Sequence, residues 1–224
     1  HIRFGTFQRL AVKNEAQLMR DLVDYSVRVY FPHLSDARGD HRVFAFVQEV
    51  IARSARLAAS WMTAGFVHGV LNTDNMNITG ESFDYGPWRF LPFYDPSFTA
   101  AYFDHEGLYS YSRQPEAVYW NLDQLARALY TLVPDGEEVE WGERFTSLLE
   151  KFPRLFQTAL IEKFFERLGL TTPAEAKDGE ELFVAAFSAL TESKTGFDDF
   201  FYDWYGGILR EGASAKYGQP KMGE

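Results

Sequence analysis

The chain has no cysteine among its 224 residues. Disulfides, thiolate metal centres and a cysteine nucleophile are therefore excluded, and the absence fits a reducing compartment. Positive charge is scarce: 22 Lys and Arg stand against 32 Asp and Glu, a net charge of −10. That argues against general binding of nucleic acid or of an anionic membrane, either of which needs a basic face. A local basic pocket for a nucleotide phosphate stays open. No apolar run approaches the roughly 18 residues needed to span a bilayer. Neither type of glycine-rich phosphate loop, no His-Glu-x-x-His zinc helix and no Gly-x-Ser-x-Gly elbow occurs. The five His are scattered, so a His-built metal centre would have to draw on distant residues.

Apolar side chains are plentiful. Hydrophobic residues make up 46% of the chain and aromatics 17%, enough for a sizeable core. No convincing linker interrupts the pattern, so one domain covering 1–224 is expected. The chain opens on His1-Ile2-Arg3-Phe4-Gly5 and closes on a polar tail, and both ends read as cuts within a longer protein. The periodicity predicts a mainly helical fold. Residues 2–12 read as an extended segment. A helix over about 14–30 carries Leu18, Leu22, Tyr25 and Val29 at helical spacing and stops at Pro32. A longer helix over about 42–63 has Val47, Ile51, Ala55, Ala58 and Met62 as its inner stripe. An aromatic stretch from Trp88 to about 120 has no clean period and reads as an ordered loop of functional length. Asn121 reads as the cap of the next helix, with Gln124 completing a capping box and Leu122, Leu125, Leu129 and Leu132 on its apolar face. Helices are expected over 141–151, 153–168 (closed by Gly169) and about 179–192. A last one carries Phe197, Phe200, Phe201, Trp204 and Ile208, and the final ten residues or so read as frayed.

The polar stretch Phe66–Pro87, FVHGVLNTDNMNITGESFDYGP, stands apart. It reads as loop, short strand and loop, delivered by the long helix before it. Asp74 and Asn75 are adjacent, and Asp84 heads an Asp-Tyr-Gly turn. Two carboxylates and a carboxamide are hard oxygen donors suited to a divalent cation, and one carboxylate could instead accept a proton. The structural alternatives are a turn cap at Asp74, turn roles for Asn72 and Asn77, a bracing role for His68, packing roles for Phe83 and Tyr85, a surface role for Arg3, and loop capping at Asp95 and Asp104.

The spacing matches part of the protein-kinase catalytic loop. His68 precedes Asn75 by seven residues, as in His-Arg-Asp-x-x-x-x-Asn, and Asp84-Tyr85-Gly86 takes the place of Asp-Phe-Gly. The departure is at the usual base, where Val70 stands and cannot accept a proton. Asp74, immediately before Asn75, keeps a carboxylate in the loop. With HGVLNTDNMNITGESFDYGP, the opening His1-Ile2-Arg3-Phe4-Gly5, Gly107-Leu-Tyr-Ser-Tyr, Gln114-Pro115 and Trp120-Asn121-Leu122, most of residues 1–130 resembles the selenoprotein O-like family of kinase-fold proteins.

The resemblance implies the helical C-terminal lobe of a kinase-like fold, with a short β-hairpin region carrying the catalytic and Asp-Phe-Gly-like loops. It implies protein adenylylation: ATP as substrate, Mg²⁺ or Mn²⁺ as the metal, and AMP passed to Ser, Thr or Tyr hydroxyls of protein substrates. Asp74 would be the general base, Asn75 and Asp84 the metal ligands, and Asp84 and Arg3 nucleotide contacts. Phosphoryl transfer by the same loop, or a non-catalytic scaffold binding partners through 88–120, are the alternatives. The resemblance further implies a missing N-terminal lobe with its glycine-rich strands, Lys and Glu, and a missing C-terminal segment. The chain alone is then expected to have little activity and an uncovered apolar face, with Ile2–Leu10 as its candidate. The location would be cytoplasmic in a bacterium or mitochondrial in a eukaryote.

Overall fold

The structure, a computed structural model, describes residues 1–217. It is mainly helical, with one small antiparallel sheet, and its internal contacts gather into two compact units.

The first unit comprises His1–Ala58, Val70–Gly86 and Gln114–Phe156. Residues 2–12 are not extended: α1 spans Phe4–Val12, because Phe4 and Phe7, one helical turn apart, are both fully buried. Only the first residues pair in an extended way, through a bridge between Arg3 and Asn77. Helix α2 spans Ala16–Tyr30. Its core face is Met19, Val23, Ser26 and Val27, rotated away from the predicted stripe. Leu18, Tyr25 and Val29 are 52%, 43% and 47% exposed. Helix α3 spans Gly39–Ala64, and Val47, Ile51, Ala55 and Ala58 are buried as expected. Phe46 meets Phe7 and Phe31, and Phe44 meets Trp141 and Phe145.

Helix α4 spans Gln114–Leu129 and shortens the predicted loop. Its start is set by Pro115, which fits a first helical turn because no N–H is needed there. Asn121 is therefore not a cap but lies in the helix interior, fully buried. Leu122, Leu125, Leu129 and Leu132 are buried as their spacing predicts. Helix α4 packs against α1, and α5 (Glu138–Leu149) against α4. Helix α6 spans Phe152–Arg167.

The second unit comprises Ala59–Gly69, Pro87–Arg113 and the chain from Gln157 onward. Strands β1 (Phe66–Val67) and β2 (Arg89–Phe90) pair Phe66 with Phe90 and Val67 with Arg89. Its core joins Val67, Leu91 and Tyr111 to Phe164, Phe165, Leu168, Leu190, Phe197, Phe200 and Phe201. Helix α7 spans Ala176–Ser193 and α8 spans Phe197–Asp203. Gly169 ends α6 with φ of 68°, as expected. Ile208 does not extend the Phe197 stripe: α8 ends at Asp203, the chain turns through Gly206 and Gly207, with φ of 80° and 78°, and Ile208 is 78% exposed. Of the tail expected to fray, Ser214–Tyr217 forms the short helix α9, and 218–224 lie outside the described residues. No described helix is long and apolar enough to cross a membrane.

Candidate functional site

Asp74 and Asn75 lie on a single 3-10 turn, Thr73–Asn75. Local hydrogen bonds build it. The Asn72 carboxamide oxygen accepts from Asp74 N–H at 3.0 Å, and Asn75 N–H donates to the Asn72 carbonyl at 3.0 Å. Asn72 is thus the turn residue anticipated for it. The Asn75 carboxamide donates to the Val70 carbonyl at 2.9 Å, which leaves its oxygen as the donor atom toward a ligand. Val70, which cannot serve as a base, contributes its backbone.

Two helices hold this turn. From α1, the Gln8 carboxamide oxygen accepts from the Thr73 hydroxyl at 2.5 Å. From α4, the Asn121 carboxamide donates to the Leu71 carbonyl at 2.8 Å. Gly5, in the first turn of α1, lies against the Asp74 carboxylate: a Cβ there would overlap Asp74 Oδ1 and come within 3.0 Å of Cγ. The positive end of the α1 dipole is therefore beside an exposed carboxylate.

Beyond the turn, Phe4 N–H donates to the Met76 carbonyl at 2.9 Å and Ile78 N–H to the Ile2 carbonyl at 3.1 Å. Arg3 is held between these bonds. Its guanidinium carbon lies 5.8 Å from the Phe83 ring centroid, and His1 stacks on the same ring at 4.9 Å. Phe83 is the packing residue expected. Tyr85 is not, being 55% exposed. Asp84 is exposed and has φ of 58°, with its carbonyl accepting from Gly86 N–H at 2.8 Å. The N-terminal segment thus brings Arg3 beside the Asp74–Asn77 stretch at its backbone and beside the residue preceding Asp84 at its side chain.

In the second unit His68 is fully buried, with Trp61 and Phe66 rings 5.7 and 6.2 Å away. Asp95 accepts from Ser97, and Asp104 from Leu108 and Tyr109 backbone N–H groups, all within 2.9 Å. Both are loop caps, as anticipated.

No cluster of three or more His, Cys, Asp or Glu among the described residues could hold a metal. The expected donor set is of another kind: the Asp84 carboxylate and the Asn75 carboxamide oxygen. It fits Mg²⁺, which takes one or two carboxylates and completes its shell with water and nucleotide phosphate. Sequence reasoning missed Gly5, Gln8 and Asn121. Gly5 carried a signal, since a glycine inside an amphipathic helix often marks a close approach. The Gln8 and Asn121 contacts span 65 and 50 residues, and no local pattern announces them.

The family model described as Protein adenylyltransferase SelO matches residues 1–211. A protein nucleotidyltransferase YdiU of Trichodesmium erythraeum is 42% identical over 209 residues, covering 91% of this chain and 42% of that protein. Those of Trichormus variabilis and Synechocystis sp. are 42% and 38% identical, each over 206 residues. The chain spans about two fifths of the length of these relatives.

Proposed function

Since the chain belongs to the SelO family, we propose that it carries the reacting loop of a protein adenylyltransferase, and that residues 1–224 are the helical lobe of a kinase-like fold. The substrate hydroxyl of a Ser, Thr or Tyr attacks the α-phosphorus of ATP. Asp74 takes the hydroxyl proton, the new O–P bond forms, the bond to the β-phosphate oxygen breaks, and pyrophosphate leaves. Asn75 and Asp84 hold Mg²⁺, with Mn²⁺ as the alternative. When bound, the ion offsets the negative charge of the phosphates. Arg3 and Asp84 contact the nucleotide. The cyanobacterial source of the relatives favours the bacterial, cytoplasmic location.

The observation that carries this reading is the anchoring of Arg3, whose backbone bridges to Asn77 while its guanidinium lies over Phe83. A fixed cation bordering both carboxylate-bearing segments suits a polyphosphate. The donor set favours positioning and charge neutralisation, which do most of the work in transfer at phosphorus.

The test is incubation of the full-length protein with α-labelled ATP and Mg²⁺. Label should pass to protein, with Asp74→Asn lowering kcat by about 10²- to 10⁴-fold, the usual worth of a general base. Asp84→Ala should be inactive. A product carrying phosphate instead of AMP would establish the phosphotransferase alternative. Unchanged function in both variants would leave the partner-binding scaffold.

A further inference from the structure

We propose that Asn121 is a positioning residue: its carboxamide fixes the backbone of the loop that carries Asp74 and Asn75. The inference rests on the reading of that loop as the reacting one.

Four observations carry it. Asn121 is the eighth residue of α4, an interior helical position where Asn is intrinsically unfavourable by roughly 0.7 kcal/mol against Ala. It is fully buried. Its amide nitrogen donates twice, to the Ala117 carbonyl one turn back at 2.7 Å and to the Leu71 carbonyl at 2.8 Å. The first bond orients the carboxamide on its own helix, and the second reaches the loop three residues before Asp74. Finally, Asn121 Oδ1 is buried without a hydrogen-bond partner, which costs about 1–3 kcal/mol. A leucine, with the same branching at Cγ, would avoid both penalties, so helix preference does not account for an asparagine here.

The loop explains it. Three successive carbonyls, Val70, Leu71 and Asn72, accept from Asn75 Nδ2, Asn121 Nδ2 and Asn75 N respectively. Two of these bonds are internal to the loop and move with it. The bond from Asn121 ties the loop to a helix whose own face is packed through Leu122, Leu125 and Leu129. The buried side chains of Leu71 and Met76 hold the turn against the core. The Asn121 bond fixes the rotation of the backbone at Leu71, and so the direction in which Asp74 and Asn75 point.

The test uses Asn121→Leu, which keeps the branching and removes both N–H donors, and Asn121→Asp, which keeps size and shape. In the full-length protein each should lower kcat for AMP transfer by about 10- to 100-fold, the cost of roughly an ångström of misplacement. KM for ATP should stay within about threefold, since the remote nucleotide contacts are untouched. In the 224-residue chain, amide exchange at Asp74 and Asn75 should accelerate at least about tenfold while that of Leu125–Leu129 stays protected. Unchanged kcat beside an inactive Asp74→Asn, unchanged exchange at Asp74 and Asn75, or equal acceleration along α4 would each overturn the proposal. Failure of both variants to fold would make Asn121 a structural residue and overturn it too. If Asp74→Asn is fully active, the reading of the loop fails and the catalytic role of Asn121 falls with it, while the exchange data still decide the tether.

Discussion

At the scale of single residues, Gly5 is the sharpest case. It lies in the first turn of α1, where intrinsic helix preference favours alanine by up to about 1 kcal/mol. The atom a Cβ would displace is Oδ1 of Asp74, an exposed side chain free to rotate away. Gly5→Ala should therefore keep or raise the thermal midpoint while lowering kcat about tenfold or more, because the carboxylate must leave its position. Steady-state kinetics beside a melting curve decide it, and wild-type kcat in the Gly5→Ala enzyme would show that Asp74 is not the base. The donor types Asp74, Asn75 and Asp84 were legible because acidic and amide side chains at kinase-like spacing carry a chemical signal. The partners that aim them were not. Gln8 and Asn121 touch the loop from 65 and 50 residues away, and hydrogen bonds of that range leave no periodic trace.

At the scale of elements, the helical stripes that lie in a core were readable, and those reading two ways were not. The α4 leucines are all buried because no second apolar face competes with them. Helix α2 has two apolar faces, and only packing chose Met19, Val23 and Val27 over Leu18, Tyr25 and Val29. The pairing of α8 with α9 rests on a buried carboxylate. Asp203 accepts from Lys216 Nζ and from the Tyr217 hydroxyl, each at 2.9 Å. The Lys216 bond, opposed by burial and reinforced by Tyr217, holds its carboxyl below the ordinary range. A depressed folded-state value means the stabilisation is complete above the unfolded value of about 3.9 and is lost as pH falls through the folded one. Asp203→Asn should thus lower the thermal midpoint near neutral pH, and the gap to wild type should close below about pH 4. A gap that is constant across the acid range would contradict the ion-pair account.

At the scale of the whole molecule, the expected uncovered face is not Ile2–Leu10, whose Phe4 and Phe7 are fully buried. The exposed apolar stripe in the first unit is instead that of α2, with Leu18, Tyr25 and Val29. Leu18→Glu with Tyr25→Glu should change the stability of the 224-residue chain by less than about 0.5 kcal/mol per site, as exposed substitutions do. A denaturation curve showing a larger loss would mean that the stripe is packed and not exposed. By itself the sequence determined the helical class, the buried stripes of α3 and α4, and which side chains are candidates to bind a cation or accept a proton. Those follow from side-chain chemistry and from periods of a few residues. Tertiary structure alone decided that the first segment coils into a helix, that Asn121 sits inside α4 and not at its end, that Gly5, Gln8 and Asn121 meet the stretch Leu71–Asp74, and that Arg3 pairs with Asn77 just beyond it. Each of these depends on burial and hydrogen bonds between residues far apart in the chain, where only the packed fold brings the two partners within reach.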